Sequence, residues 1–199
     1  AEGMAVLHVP SAGPSGTGKV SAGCHLAISL PCHRDAWFHS RMTPDEFVAR
    51  WAANTRNEAA ASKPHFLDLC ALLDVPVPAT DPTGATYAFE KGATKAAGGA
   101  GWADVWKRGC FAWEYKSRGG DLEKAHDQLL RYAGALGNPP LLICSDMDRI
   151  VVRTNWTNEV SARHDFALDD LRNPAVRARL RQCWTQPDAF KPGTTRQAL

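Results

Sequence analysis

The sequence predicts a mixed α/β domain in which helices cover the faces of a central mixed sheet. Three observations predict it. Between Thr43 and Leu73, apolar residues recur at helical spacing behind capping signals. Between Ala85 and Lys116 lie three short runs rich in aromatic residues, separated by glycine-containing connections. After Asp121 a helical stripe is followed by a continuous apolar run and then a further strand. The order is helix, strand, strand, strand, helix, strand, strand.

The first helix is expected from Thr43 to Asn54. Thr43 suits the N-cap and Pro44 the first helical position, and Glu46 stands three residues after Thr43 as in a capping box. Phe47, Val48 and Trp51 form its apolar face. Met42, directly before this signal, reads as the natural start. Residues 1–41 are rich in Gly, Ser, Ala, Pro and His without sustained period, and read as a poorly ordered upstream extension. Within it, Gly13-Pro-Ser-Gly-Thr-Gly18-Lys19 matches most of a phosphate-cradling Walker A loop. Val20, however, takes the place of the hydroxyl residue that holds Mg²⁺, and the residues after it open no convincing helix. ATP binding is therefore not expected.

A second helix covers Ser62 to Leu73, or continues across a break near Lys63-Pro64. Phe66, Leu69, Cys70 and Leu73 form its buried stripe, and Glu58 stands at its head. Val75 to Gly84 is loop, closing in an Asp81-Pro-Thr-Gly84 turn. Ala85 to Lys91 is the first strand. Trp102 to Trp106 and Cys110 to Lys116 form a hairpin turning at Lys107-Arg108-Gly109, where Gly109 permits positive φ. Ser117 to Gly120 is a turn, and Asp121 caps a helix from Leu122 to about Leu136 with Ala125, Leu129, Tyr132, Ala133 and Leu136 as its stripe. Gly137-Asn-Pro-Pro140 stops that helix. Leu141 to Cys144 reads as a central buried strand, Asp146-Met147-Asp148 as a turn whose acids are turn residues rather than metal ligands, and Ile150 to Thr154 as another strand. Arg163 to Leu171 reads as a connection into a last helix, Pro174 to Trp184, and the chain from Thr185 as a linker.

The hairpin carries the chemistry. Side chains alternate faces along a strand, so Glu114 and Lys116 share one face while Phe111, Trp113 and Tyr115 share the other. A turn centred on Gly109 sets Asp104 directly across from Glu114, on the same side of the sheet. Two carboxylates and a lysine then converge on one patch. Such a patch suits phosphodiester hydrolysis: paired carboxylates hold Mg²⁺, the metal activates water and stabilises the leaving oxygen, and the lysine offsets charge on the phosphate. Glu58 reads either as an additional metal ligand or as a favourable charge at a helix N-terminus. The Gly/Ala-rich loop from Gly92 to Gly101, with Lys91 and Lys95, reads either as a segment that closes over DNA or as a plain connection.

Composition narrows the class. The chain has 199 residues, 44% of them hydrophobic, and seven Trp, enough for one domain with a real core. A formal net charge of +2 does not by itself indicate nucleic acid. Arg172, Arg177, Arg179, Arg181, Lys191 and Arg196 crowd the C-terminal end and read either as a phosphate-facing cluster or as a solvated helix face. The six cysteines form no C-x-x-C pair, and the spacing of Cys24-His25 and Cys32-His33 fits no common zinc site. They read as reduced thiols of a cytoplasmic protein. No apolar run is long enough to span a membrane, and the N-terminus lacks a secretory pattern.

The element order and the D-x9-E-x-K pattern resemble the PD-(D/E)xK nuclease superfamily, whose core runs αβββαβ. The stretches RWAANTRNEAA, HFLDLCALL, YAFEKGATKAAGGAGWADVWKRGCFAWEYK, QLLRY, NPPLLICSDMDR and TNWTNEV resemble more closely the N-terminal domain of MmeI-like (type IIL) restriction-modification enzymes. The resemblance implies a Mg²⁺-dependent endonuclease domain acting on double-stranded DNA, with Mn²⁺ as a substitute ion. It implies Asp104 and Glu114 as metal ligands and Lys116 as the catalytic lysine. Gln128 and Tyr132 match a Q-x-x-x-Y signature of some branches, where it supports the site, or are simple helix packing. Lys91, Lys95 and Arg118 are candidate DNA contacts. Ala103 stands where some members carry Pro. In that family a helical spacer, an adenine-specific methyltransferase using S-adenosylmethionine and a target-recognition domain follow, and this chain shows no motifs of those parts. The expected division is an extension at 1–41, the nuclease domain at 42–165, and a C-terminal helix and linker at 166–199. The alternative is a non-catalytic DNA-binding or assembly module of a DNA methyltransferase with the same fold.

Overall fold

A computed structural model describes residues 42–94 and 100–192. The expectations for residues 1–41, the Gly13–Lys19 loop and Cys24 and Cys32 among them, and those for Lys95 and Arg196, lie outside the described residues.

Helix α1 spans Pro44–Ala52 and begins as its sequence dictates: Thr43 and Glu46 cap each other's backbone reciprocally. Helix α2 spans Glu58–Leu73. It starts a full turn before Ser62 because the Asn57 side chain accepts the Ala60 N–H, and Pro64 interrupts nothing beyond its own missing donor. Strands β1 (Tyr87–Thr94), β2 (Ala100–Lys107) and β3 (Phe111–Tyr115) follow, then helix α3 (Leu122–Tyr132) and strand β4 (Leu141–Ser145). From α2 to β4 this is the expected αβββαβ order. Strands β5 (Arg149–Thr154) and β6 (Arg163–Ala167) and helix α4 (Pro174–Thr185) complete the described elements. No helix among the described residues is long and apolar enough to cross a membrane.

The six strands lie in chain order in one sheet. All neighbours are antiparallel except β3 and β4, which are parallel and joined through α3. Both central strands are buried along their length, as a strand covered on two faces must be. One face packs Phe111, Trp113, Tyr115 and Ile143 against Phe47, Phe66, Leu69 and Trp184 of α1, α2 and α4. The other packs Ala112, Leu142 and Val151 against Ala125, Leu129 and Tyr132 of α3.

Two expectations are corrected. The stretch from Arg163 is a strand and not a connection: its Phe166 packs inward while Arg163 and Asp165 bond each other at the surface, so the apolar pattern is a single residue deep. The tail after Thr185 is not a free linker as far as Phe190. Residues Pro187–Phe190 make a 3₁₀ turn, Phe190 is buried, and Arg179 stacks over its ring at 3.8 Å. The C-terminal basic residues are also largely committed within the protein. Arg172 pairs with Asp45 and Asp169, Arg177 donates to the Leu171 and Arg172 carbonyls, and Arg181 and Lys191 lie 3.9 and 3.8 Å from Asp74 and Glu159.

Candidate active site

The hairpin turns as expected, with Gly109 at φ 68° and Val105 opposite Trp113 and Trp106 opposite Ala112. Continuing that register sets Asp104 across from Glu114. On the β1 side the ladder breaks at the same level: Phe89 pairs with Val105 and Lys91 with Ala103, but Glu90 and Asp104 form no rung, and Glu90 has φ 50°. Side-chain alternation inverts across this break. Val105 packs on the α2 face, yet Ala103 packs with Trp106 on the α3 face.

Asp104 therefore does not lie flat beside Glu114 as simple alternation predicts. Its carboxylate turns toward α2, lines a cavity of about 250 Å³ with Glu58 and Tyr115, and accepts the Tyr115 backbone N–H at 2.6 Å. Glu114 is 5% exposed, and its Oε1 accepts from Lys116 Nζ at 2.8 Å and from Gln128 Nε2 at 2.6 Å. Its Oε2 is buried and has no hydrogen-bond partner among the described residues. An unpaired buried carboxylate oxygen is costly, and burial followed by the Asp104 charge pushes the Glu114 carboxyl up to about 7. Burial also raises the Asp104 carboxyl, against the Tyr115 N–H that lowers it. Burial pulls the Lys116 ammonium down, but the Glu114 hydrogen bond and charge outweigh it and leave the group raised.

Asp104, Glu114, Lys116 and Gln128 are thus brought together at one end of β3. Glu58 joins them at the head of α2: its charge acts on all three ionisable members, and its Oε2 accepts from Ser117 at 3.3 Å. Tyr132 packs one turn beyond Gln128 on α3, its ring pressed against Gly101, where a Cβ would collide with it. Other candidates stand apart. Arg118 donates to the Trp51 and Ala52 carbonyls at the end of α1 and pairs with Asp148. Lys91 donates to the Gly84 carbonyl and lies over the Trp106 ring. Asp146 accepts the backbone N–H groups of Asp148 and Arg149, as a turn acid does.

Sequence reasoning missed the residue that holds this end of the sheet from behind. His65 is fully buried on α2, and its Nδ1 lies 2.8 Å from the Tyr115 hydroxyl. Trp51 and Tyr115 meet it edge-on and Phe47 tilts against it. The available signal was its place in the apolar run HFLDLCALL, one position before Phe66.

Among the described residues no group of three or more His, Cys, Asp and Glu could hold a metal ion as it stands. Mg²⁺ does not require one, because it keeps several waters and takes one or two carboxylates together with substrate phosphate oxygens. The buried Oε2 of Glu114, which has no hydrogen-bond partner among the described residues and whose carboxyl feels the Asp104 charge, fits that hard, oxygen-seeking ion.

A sequence model of the family described as "MmeI, N-terminal domain" matches residues 42–198. A solved structure similar to the chain is a DrdV–DNA complex determined by cryo-electron microscopy, with 18% identity and a TM-score of 0.45. The match covers 69% of this chain and 13% of that one, so the chain spans a small part of its length. No curated protein matches the chain.

Proposed function

We propose that this chain, which belongs to the MmeI N-terminal domain family, is the DNA-cleaving domain of a restriction-modification enzyme and hydrolyses phosphodiester bonds in double-stranded DNA. The observation that carries the reading is the buried Oε2 of Glu114, without a hydrogen-bond partner among the described residues, in a carboxyl that pairs with Lys116 through Oε1 and feels the Asp104 charge. A surface hairpin with an ordinary Glu–Lys pair would leave no carboxylate oxygen buried and bare.

In this reading Asp104 and Glu114 would hold Mg²⁺, or Mn²⁺ in its place, and Glu58 would be a candidate for a further ligand. When bound, the ion supplies Lewis-acid polarisation of the phosphoryl group and lowers the pKa of water. The chain's own groups do the rest. The Tyr115 N–H fixes the Asp104 carboxylate. Gln128 and Lys116 both bond Glu114 Oε1 and so fix the orientation of the carboxylate that would hold the ion. Lys116, kept charged by Glu114, faces the charge that builds on the phosphate. Tyr132 supports the helix that carries Gln128. Target recognition and S-adenosylmethionine-dependent methylation would belong to further parts of the parent protein.

The test is plasmid cleavage with Mg²⁺ or Mn²⁺ against EDTA, for the wild type and for Asp104→Ala and Lys116→Ala. Metal-dependent nicking lost in both variants, by a factor of 10² or more in rate (on the order of a removed charge-stabilising group), is the expected result. If the wild type neither cuts DNA nor binds Mn²⁺ by calorimetry, the catalytic reading falls and the DNA-binding module takes its place.

A further inference from the structure

Glu58, Ser62 and Lys63 form one wall of the cavity that holds the Asp104 carboxylate, and Glu90 and Tyr115 stand across from them. Glu58 and Ser62 are one helical turn apart and Lys63 adjoins Ser62, so a single face of α2 supplies this wall. Glu58, Glu90 and Asp104 make the cavity acidic. Among its described lining residues Lys63 is the one cation. Its ammonium reaches across the mouth to Glu90 at 2.5 Å and passes over the Phe89 ring.

Both partners of this pair are more than half exposed, so water screens their attraction and a change of partner costs little. Glu90 is also where the sheet departs from regular geometry. It has a left-handed backbone in a strand and no rung with Asp104, a conformation that non-glycine residues hold at an energetic cost and that gathers at functional sites. Lys116 is already engaged by Glu114 and Gln128. A DNA strand whose scissile phosphate meets Asp104 and Glu114 carries further phosphates along its backbone, and these approach an acidic rim.

We propose that Lys63 is a DNA-phosphate contact held in reserve: in the free protein Glu90 keeps its ammonium across the cavity mouth, and on DNA binding it passes from Glu90 to a phosphate flanking the scissile one. The inference rests on the nuclease reading above and assigns Lys63 a positioning role within it. Glu90 acts as the competitor that DNA displaces.

The test is anisotropy of a labelled DNA duplex in EDTA over a salt series, for the wild type, Lys63→Ala, Glu90→Gln and the double variant, with plasmid cleavage by the wild type measured in parallel. Lys63→Ala is expected to weaken binding several-fold and to reduce the slope of log affinity against log salt by about 0.9, the release expected from one lost phosphate contact. Glu90→Gln is expected to tighten binding several-fold, and by more with Lys63 present than in the Lys63→Ala background. Equal salt slopes for the wild type and Lys63→Ala would overturn the inference, as would tightening by Glu90→Gln that is equal with and without Lys63. If the wild type cuts plasmid while either of those results holds, the inference alone fails. If the wild type neither binds nor cuts, it falls together with the nuclease reading.

Discussion

Glu114 places function and stability in opposition at a single residue. Its carboxyl is raised from 4.5 to about 7 by burial and by Asp104. A folded-state pKa above the unfolded one means that the folded protein retains the proton longer, so this contribution is fully present below about 4.5 and is lost as pH rises through about 7. Glu114→Gln, measured in EDTA, is therefore expected to be more stable than the wild type at pH 8, by at most about 3 kcal/mol, and to lose that advantage near pH 5. Chemical denaturation at the two pH values checks it, and an unchanged difference would contradict the burial argument. The same proton competes with a cation, so Mn²⁺ affinity of the wild type is expected to rise as pH passes through 7. Gly101 supplies a second test at this scale. A Cβ there meets the ring of Tyr132, itself buried, so Gly101→Ala is expected to cost about 1–3 kcal/mol by forcing strand and helix apart. Urea unfolding reads that cost.

At the scale of elements, α2 and β3 are locked through His65 and Tyr115. Burial lowers the His65 imidazole from 6.5 to about 3. A depressed folded pKa reverses the sign found at Glu114: the contribution is present above about 6.5 and is lost as pH falls toward 3. His65→Gln is expected to lose about 1–3 kcal/mol at pH 7 with its packing and its bond to Tyr115, yet to unfold with a flatter pH dependence between pH 6 and pH 4. Thermal melts across that range decide it. Helix α1 could be read from its residues nearly to its ends, since Thr43, Pro44 and Glu46 act within four positions of one another. The start of α2 was harder to read because Pro64 signals a break that the helix absorbs. Strand β6 escaped because an edge strand buries little, and Arg163, Asp165 and Ala167 bear no mark of pairing with β5.

For the molecule as a whole, the C-terminal segment closes the core. Trp184 of α4 donates to the Tyr87 hydroxyl of β1 at 2.9 Å, and Phe190 packs edge-on to His164 of β6. The last elements thus tie down both edges of the sheet. Phe190→Ala is expected to lower global stability by about 3–5 kcal/mol, the range for a buried aromatic truncated to a methyl. It should do so in one cooperative transition rather than by freeing the tail alone, and coincident fluorescence and circular dichroism melts test that expectation.

The sequence by itself determined the order of the elements as far as β5, the two apolar faces of the sheet, the hairpin turn at Gly109 and the pairing of Lys116 with Glu114 on one side of β3. Each of these follows from short-range rules of capping, alternation and register. Only the tertiary structure decided which way Asp104 faces, because its direction depends on the missing rung with Glu90 in a different strand. The same holds for the bare Oε2 of Glu114, which exists because Gln128 arrives from α3 to share Oε1 with Lys116, and for His65, which belongs to the site only through α2 lying across β3. Burial, and the shift it imposes on a carboxyl, belongs to the assembled layers, and no local window of sequence contains them.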